Sequence, residues 1–203
     1  QRLGDLERGH TEVAVGVERV AVTLKRELVV APSLCDQSEV EPRLHVVGHS
    51  LGVTVSHDFL YGLFGTSDPD FLKQAESEQD RRDFETWKDK VRAGQLRLGS
   101  FTAMASQLPL FLLRKRELVL QLSQGKTLDP RVIGVGRDAN VRWLIVYDVD
   151  DVLGFATREL YGDAPSIRQV QVDAGDNPIK AHVNYWLNGD TIRETAALIA
   201  ARA

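Results

Sequence analysis

The chain of 203 residues contains a single cysteine, Cys35, which excludes an intramolecular disulfide and any cysteine-based metal site. Cys35 reads as a small apolar residue. Long apolar runs are lacking as well, and no stretch approaches the ~20 residues that a transmembrane helix needs. Positive charge is not in excess: 25 Lys and Arg stand against 29 Asp and Glu, a net charge of −4, so the chain shows no electrostatic footprint for nucleic acid. Internal repeats, heptad arrays and low-complexity tracts are absent, and so is a recognisable secretory signal. A cytoplasmic location is the expectation, although the chain opens with Gln1 rather than Met. What is present is a globular composition, 43% apolar and 27% charged, at a length suited to one domain spanning residues 1–203.

Apolar spacing organises that domain. Leu3, Leu6, His10, Val13, Val17, Val20 and Leu24 recur at three- and four-residue steps and predict a helix, followed by a loop from Pro32 to Pro42. Leu44-His45-Val46-Val47 predicts a buried strand running into Gly48, and a helix is expected from Leu51 to Phe64. Asp68-Pro69 has the form of a helix start, opening a charged helix that ends near Gly94 with a solvated face. Further strands are expected over Leu96–Thr102, Arg142–Tyr147 and Ile167–Val172, with a last helix over Thr191–Ala201 capped by Asp190 or Thr191. Strands alternating with helices predict the α/β class, a mostly parallel sheet covered on both faces.

Gly48-His49-Ser50-Leu51-Gly52 matches G-x-S-x-G between an apolar strand and a helix. A chain turning that sharply holds its serine in strained geometry and leaves no room for side chains two positions away. Ser50 then projects from the carboxyl end of the sheet as a nucleophile. The helix behind it favours developing negative charge, with the Leu51 amide as one oxyanion donor.

A serine nucleophile needs a base and an acid. Of the five histidines, His49 lies within the turn, His45 inside the strand, His57 two helical turns on and His10 on the N-terminal helix. His182, expected in a loop after the last strand, remains as the base. The acid should follow a strand between Ser50 and His182, where it holds the imidazole tautomer. Tyr147-Asp148-Val149-Asp150-Asp151 supplies three carboxylates there. Asp148 is placed to turn the loop; Asp151 is preferred as the acid, with Asp150 the alternative.

With these segments, the chain resembles the α/β-hydrolase superfamily, particularly the lipase and esterase branches that carry G-H-S-L-G. The run Trp143 to Gly154 is similar to the acid loop of hydrolases of this kind, Ala181 to Trp186 to their histidine loop, and Phe101 to Phe111 to the strand and loop between elbow and acid. The resemblance covers residues 44–203. Two departures accompany it. The His-Gly segment that supplies a second oxyanion amide is missing, and Val53 stands where a small residue often packs the elbow helix on the sheet. Residues 1–43 read as a helical segment and loop, too short for the strands that normally precede the elbow. Further sequence before Gln1, or within the first 43 residues, is therefore expected to contain a strand that pairs beside the elbow strand and a loop that donates the second oxyanion amide.

The resemblance implies a serine hydrolase cleaving the carboxylic ester of a small molecule or lipid through Ser50, His182 and Asp151, without metal or organic cofactor. Acyl transfer to an alcohol or thiol would use the same triad. A non-catalytic interaction module of the same fold is a rival. Leu108 to Leu113 followed by Arg114-Lys115-Arg116 also suits either a core helix or a lipid interface.

Overall fold

The computed structural model describes residues 28–31, 43–65, 77–137 and 142–201. They form a five-stranded sheet whose order follows the chain: β1 (Leu28–Ala31), β2 (Arg43–His49), β3 (Arg97–Met104), β4 (Arg142–Tyr147) and β5 (Ile167–Gln171). Strands β2 to β5 are parallel, while β1 runs antiparallel to β2, with Leu28 opposite Gly48 and Ala31 opposite His45. The helices are α1 (Leu51–Phe64), α2 (Glu78–Arg92), α3 (Leu108–Leu112), α4 (Arg116–Ser123), α5 (Pro178–Asn184) and α6 (Gly189–Ala200). Short 3₁₀ turns occupy Pro130–Ile133, Arg158–Tyr161 and Tyr185–Leu187.

Alternation along the strands builds two cores. On β4, Trp143 and Ile145 face a cluster that includes Val53, Leu60 and Leu63 of α1. Leu144 and Val146 face the other way, onto a cluster with Tyr185 and Leu198 of α6. Helices therefore cover both faces, as a parallel sheet requires when each strand is apolar on both sides. The chain is of the α/β class. Trp143 centres the larger core, stacked on Phe101 at 5.2 Å between ring centroids and edge-on to Tyr161 at 4.9 Å. That pairing adds roughly 0.5–1.5 kcal/mol beyond area burial.

Several expectations need correction. The segment 1–43 contains a strand, β1, so it is more than helix and loop, and the edge of β2 that would otherwise stand open is paired. The proposed N-terminal helix, the loop at 32–42, Cys35, His10 and the Asp68-Pro69 helix start lie outside the described residues. The charged helix α2 starts at Ser77, whose hydroxyl accepts from the Asp80 amide, and it buries only Phe84 and Lys88. Strand β3 runs two residues past Thr102. The last helix begins earlier than Thr191, because Asn188 rather than Asp190 or Thr191 is its cap: the Asn188 side-chain oxygen accepts from both the Asp190 and Thr191 amides. Asn fills this role through the same short carbonyl reach as Asp.

Val53 is fully buried, and a Cβ placed on Gly48 would sit 3.0 Å from the Val53 Cα, so glycine at 48 lets β2 and the first turn of α1 approach this closely. Among the described residues no helix is long and apolar enough to cross a membrane.

Candidate active site

The carboxyl ends of β2, β3, β4 and β5 lead into the segments that carry Ser50, Gln107, Asp151 and His182. Ser50 itself sits between β2 and α1 with φ 56° and ψ −128°, a left-handed conformation that costs a non-glycine residue about 1–3 kcal/mol. Its amide is held by the Met104 carbonyl at 2.9 Å, and its carbonyl accepts from Val53 at 3.0 Å. Serine at a helix N-cap ordinarily bonds an amide of the first turn. Ser50 makes no such cap, and its hydroxyl is free for other partners. Leu51 opens α1, so its amide is one of the first-turn donors that no helical carbonyl can satisfy.

The hydroxyl partner is His182. Nε2 of His182 lies 2.8 Å from Ser50 Oγ, and Nδ1 lies 2.9 and 3.0 Å from the two carboxylate oxygens of Asp151. Since Nδ1 faces a carboxylate, it carries the proton; the bare Nε2 accepts from the Ser50 hydroxyl. The Asp151 side chain is fully buried and His182 largely so.

Asp151 collects two further donors, the Leu153 amide at 2.9 Å and the Tyr185 hydroxyl at 3.1 Å. Burial first, then the adjacent Asp151 carboxylate, pushes the Tyr185 phenol far up, so it remains a donor across ordinary pH. The same Tyr185 oxygen accepts from the Asp148 amide at 2.8 Å. Gly154 lets the loop fold against the acid, since a Cβ there would fall 2.3 Å from Asp151 Oδ2.

Asp148 is buried, accepting from the Asp150 amide at 3.0 Å and the Ala174 amide at 2.5 Å. It ties the acid loop to the segment that leads to His182. Asp150 is exposed, and the carboxylate on His182 Nδ1 is that of Asp151. The structure thus brings Ser50, His182 and Asp151 together and leaves the alternative acid Asp150 outside.

His182 lies on α5 and not in a loop. Asn177 accepts from the Ile179 and Lys180 amides, and Pro178 occupies the first helical position, a start signal legible in Asn177-Pro178. Two asparagines brace this segment: Asn184 donates to the Ala174 carbonyl at 3.0 Å and Asn188 to the Asp173 carbonyl at 2.6 Å.

Among the described residues the other histidines, His45, His49 and His57, have other partners. His49 turns away from Ser50 and donates from Nε2 to the His182 carbonyl at 2.6 Å, its ring 5.1 Å from that of His182. His57 bonds the Tyr161 hydroxyl at 2.8 Å in the core. His45 pairs with Ser100 at 2.8 Å between strands, and burial, aided by Arg43, lowers its pKa.

Two site residues escaped sequence reasoning: Gln107, which donates to Ser50 Oγ at 3.2 Å, and Tyr185. Neither carried a positional signal. The apolar run after Gln107 divides its faces: Leu108, Pro109 and Leu112 are buried, whereas Leu110, Phe111 and Leu113 are exposed next to Arg114, Lys115 and Arg116. Among the described residues no group of three or more His, Cys, Asp and Glu is placed to hold a metal ion. No protein-family model matches the chain, and no curated protein or solved structure matches it.

Proposed function

We propose that the protein is a serine hydrolase of the α/β-hydrolase kind that cleaves carboxylic esters through an acyl-enzyme. The observation that carries this reading is the unbroken relay from Ser50 Oγ through both ring nitrogens of His182 to the buried Asp151, with the serine on a strained turn. A buried carboxylate, an oriented imidazole and a strained, uncapped serine are expensive to assemble as mere structure, and each has a use in acyl transfer. The chain order serine, acid, histidine, after the carboxyl ends of the parallel strands β2, β4 and β5, supports the fold assignment.

In this mechanism the Ser50 hydroxyl proton passes to His182 Nε2 as Oγ bonds the substrate carbonyl carbon, and the carbonyl π pair moves onto oxygen. The Leu51 amide stabilises that oxyanion. The tetrahedral centre then collapses, breaking the bond to the alcohol, which leaves with the proton from His182. A water delivers its proton to His182 and its oxygen to the acyl carbon. Collapse of the second tetrahedral centre releases the carboxylic acid and restores the Ser50 hydroxyl. Asp151 holds the ring in this orientation and stabilises the imidazolium.

Ser50→Ala tests the reading. Hydrolysis of short p-nitrophenyl esters should fall ~10³-fold or more with the fold intact, and labelling by a fluorophosphonate should disappear. A folded Ser50→Ala variant with undiminished esterase activity refutes the assignment. A wild-type protein that neither hydrolyses esters nor takes the label would instead favour the non-catalytic interaction module.

A further inference from the structure

Among the described residues the hydrolase reading gives the oxyanion one backbone donor, the Leu51 amide, and acyl transfer uses two or more. Starting from that reading, we infer that the side-chain amide of Gln107 is a catalytic group of this site, a second oxyanion donor beside the Leu51 amide.

Chemistry decides which end of the Gln107 amide faces the serine. The one hydroxyl proton of Ser50 points to His182 Nε2, because Nδ1 already donates to Asp151. Ser50 Oγ therefore presents only lone pairs to its other neighbour, and the group that lone pairs attract is the NH₂ of Gln107, at 3.2 Å. When Oγ bonds the carbonyl carbon, the oxyanion hangs from that same carbon, two bonds from Oγ. A donor already 3.2 Å from Oγ is in reach of an oxygen two bonds from it, and oxyanion donors act at ~2.7–3.1 Å. Its bond to Oγ weakens as the serine lone pair is consumed and is replaced by a stronger one to a full negative charge, so the contribution grows in the transition state.

The surrounding loop is built to hold that donor. Among the described residues two non-glycine positions have positive φ, Ser50 and Ala105, the first carrying the hydroxyl and the second two residues before the side chain that donates to it. Ala105, at φ 51°, turns the chain sharply at the end of β3, two residues before Gln107. The turn is fixed by the Ala105 amide on the Val146 carbonyl, the Phe155 amide on the Ser106 carbonyl at 2.9 Å and the Leu108 amide on Ser106 Oγ. Gln107 stands at the N-cap of α3 yet makes no side-chain cap, leaving its amide directed to the serine. Strain of this kind persists only where neighbours over-determine it. Here the acid loop does so, with Gly154 close enough that a Cβ would fall 3.2 Å from Ala105 Cα.

The experiment compares wild type with Gln107→Ala and with Gln107→Met, which keeps the side-chain length and removes the donor. For a p-nitrophenyl ester, kcat should fall about 10²-fold in each variant with KM nearly unchanged, since the donor acts in the transition state. Affinity for a trifluoromethyl ketone of matching acyl chain should fall in parallel, because its hemiketal oxyanion occupies the same position. A residue that merely packs the loop would alter stability or KM without tracking the inhibitor. Folded variants within threefold of wild-type kcat overturn the inference and leave the hydrolase reading standing. A loss of kcat with unchanged ketone affinity also overturns it. Wild type inert to esters and to a fluorophosphonate overturns both. Should Gln107→Ala fail to fold, Gln107→Met carries the same comparison.

Discussion

Removing one oxygen, in Tyr185→Phe, should separate the support of the acid from the acid itself. The Tyr185 ring is fully buried and stays in place; only its hydroxyl is lost. Two bonds go with it. The Asp148 amide, which Tyr185 accepts at 2.8 Å, is left buried without a partner, at about 1–3 kcal/mol. The charge-assisted bond to Asp151 Oδ2 at 3.1 Å also disappears, worth about 1.5–3 kcal/mol. Part of this is offset because a buried hydroxyl no longer has to be desolvated, leaving a net destabilisation of about 2–4 kcal/mol. For a domain near 200 residues that is a fall in Tm of roughly 4–16 °C. Asp151 keeps His182 Nδ1 and the Leu153 amide, so ester hydrolysis should decline only about tenfold, far less than for loss of the carboxylate. Scanning calorimetry and initial rates measured on the same preparation test both halves. A variant with unchanged Tm would refute the hydrogen-bond accounting, and one as inactive as an Asp151 substitution would show that the phenol does more than brace the acid.

Asp151→Asn should cut kcat by ~10³–10⁴-fold while Asp150→Asn stays within a few-fold of wild type, and steady-state rates showing the reverse would exchange their roles. Gly154→Ala puts a methyl 2.3 Å from Asp151 Oδ2, so the carboxylate must move; kcat should drop ~10-fold or more, and an active variant would mean that the loop yields instead. His45, with its pKa lowered by burial, is neutral in the fold and more readily protonated once unfolded. Its contribution to stability is therefore present above the unfolded pKa, about 6.5, and is lost as pH falls from there through the folded value. Thermal melts should show this decline, and His45→Gln should remove that part of it; identical pH profiles would count against the assignment.

Much of this architecture could be read along the chain, and the reason is periodicity and local stereochemistry. Leu44 to Val47, Arg142 to Tyr147 and Leu51 to Phe64 became strands and a helix because their patterns match what a two-faced sheet and its covering helix must bury. The elbow was legible because a strand-to-helix turn that tight admits little besides glycine around the serine. Even the helical setting of His182 was written in Asn177-Pro178, though only the capped structure makes its meaning plain.

Other features belong to tertiary structure alone. Asp148, Asp150 and Asp151 are the same chemical group within four residues. Which one meets His182 is decided by Gly154, which lets the loop close on Asp151, and by Asp148 being engaged with the Asp150 and Ala174 amides. The antiparallel strand β1 beside the elbow strand carried no recognised pattern; its place follows from the backbone pairing it provides to the open edge of β2. Gln107 and Tyr185 lie 57 and 34 residues from the side chains they serve, Ser50 and Asp151. Hydrogen bonds act over about 3 Å of space whatever the separation along the chain, so such partners take shape only when the sheet brings its loops together.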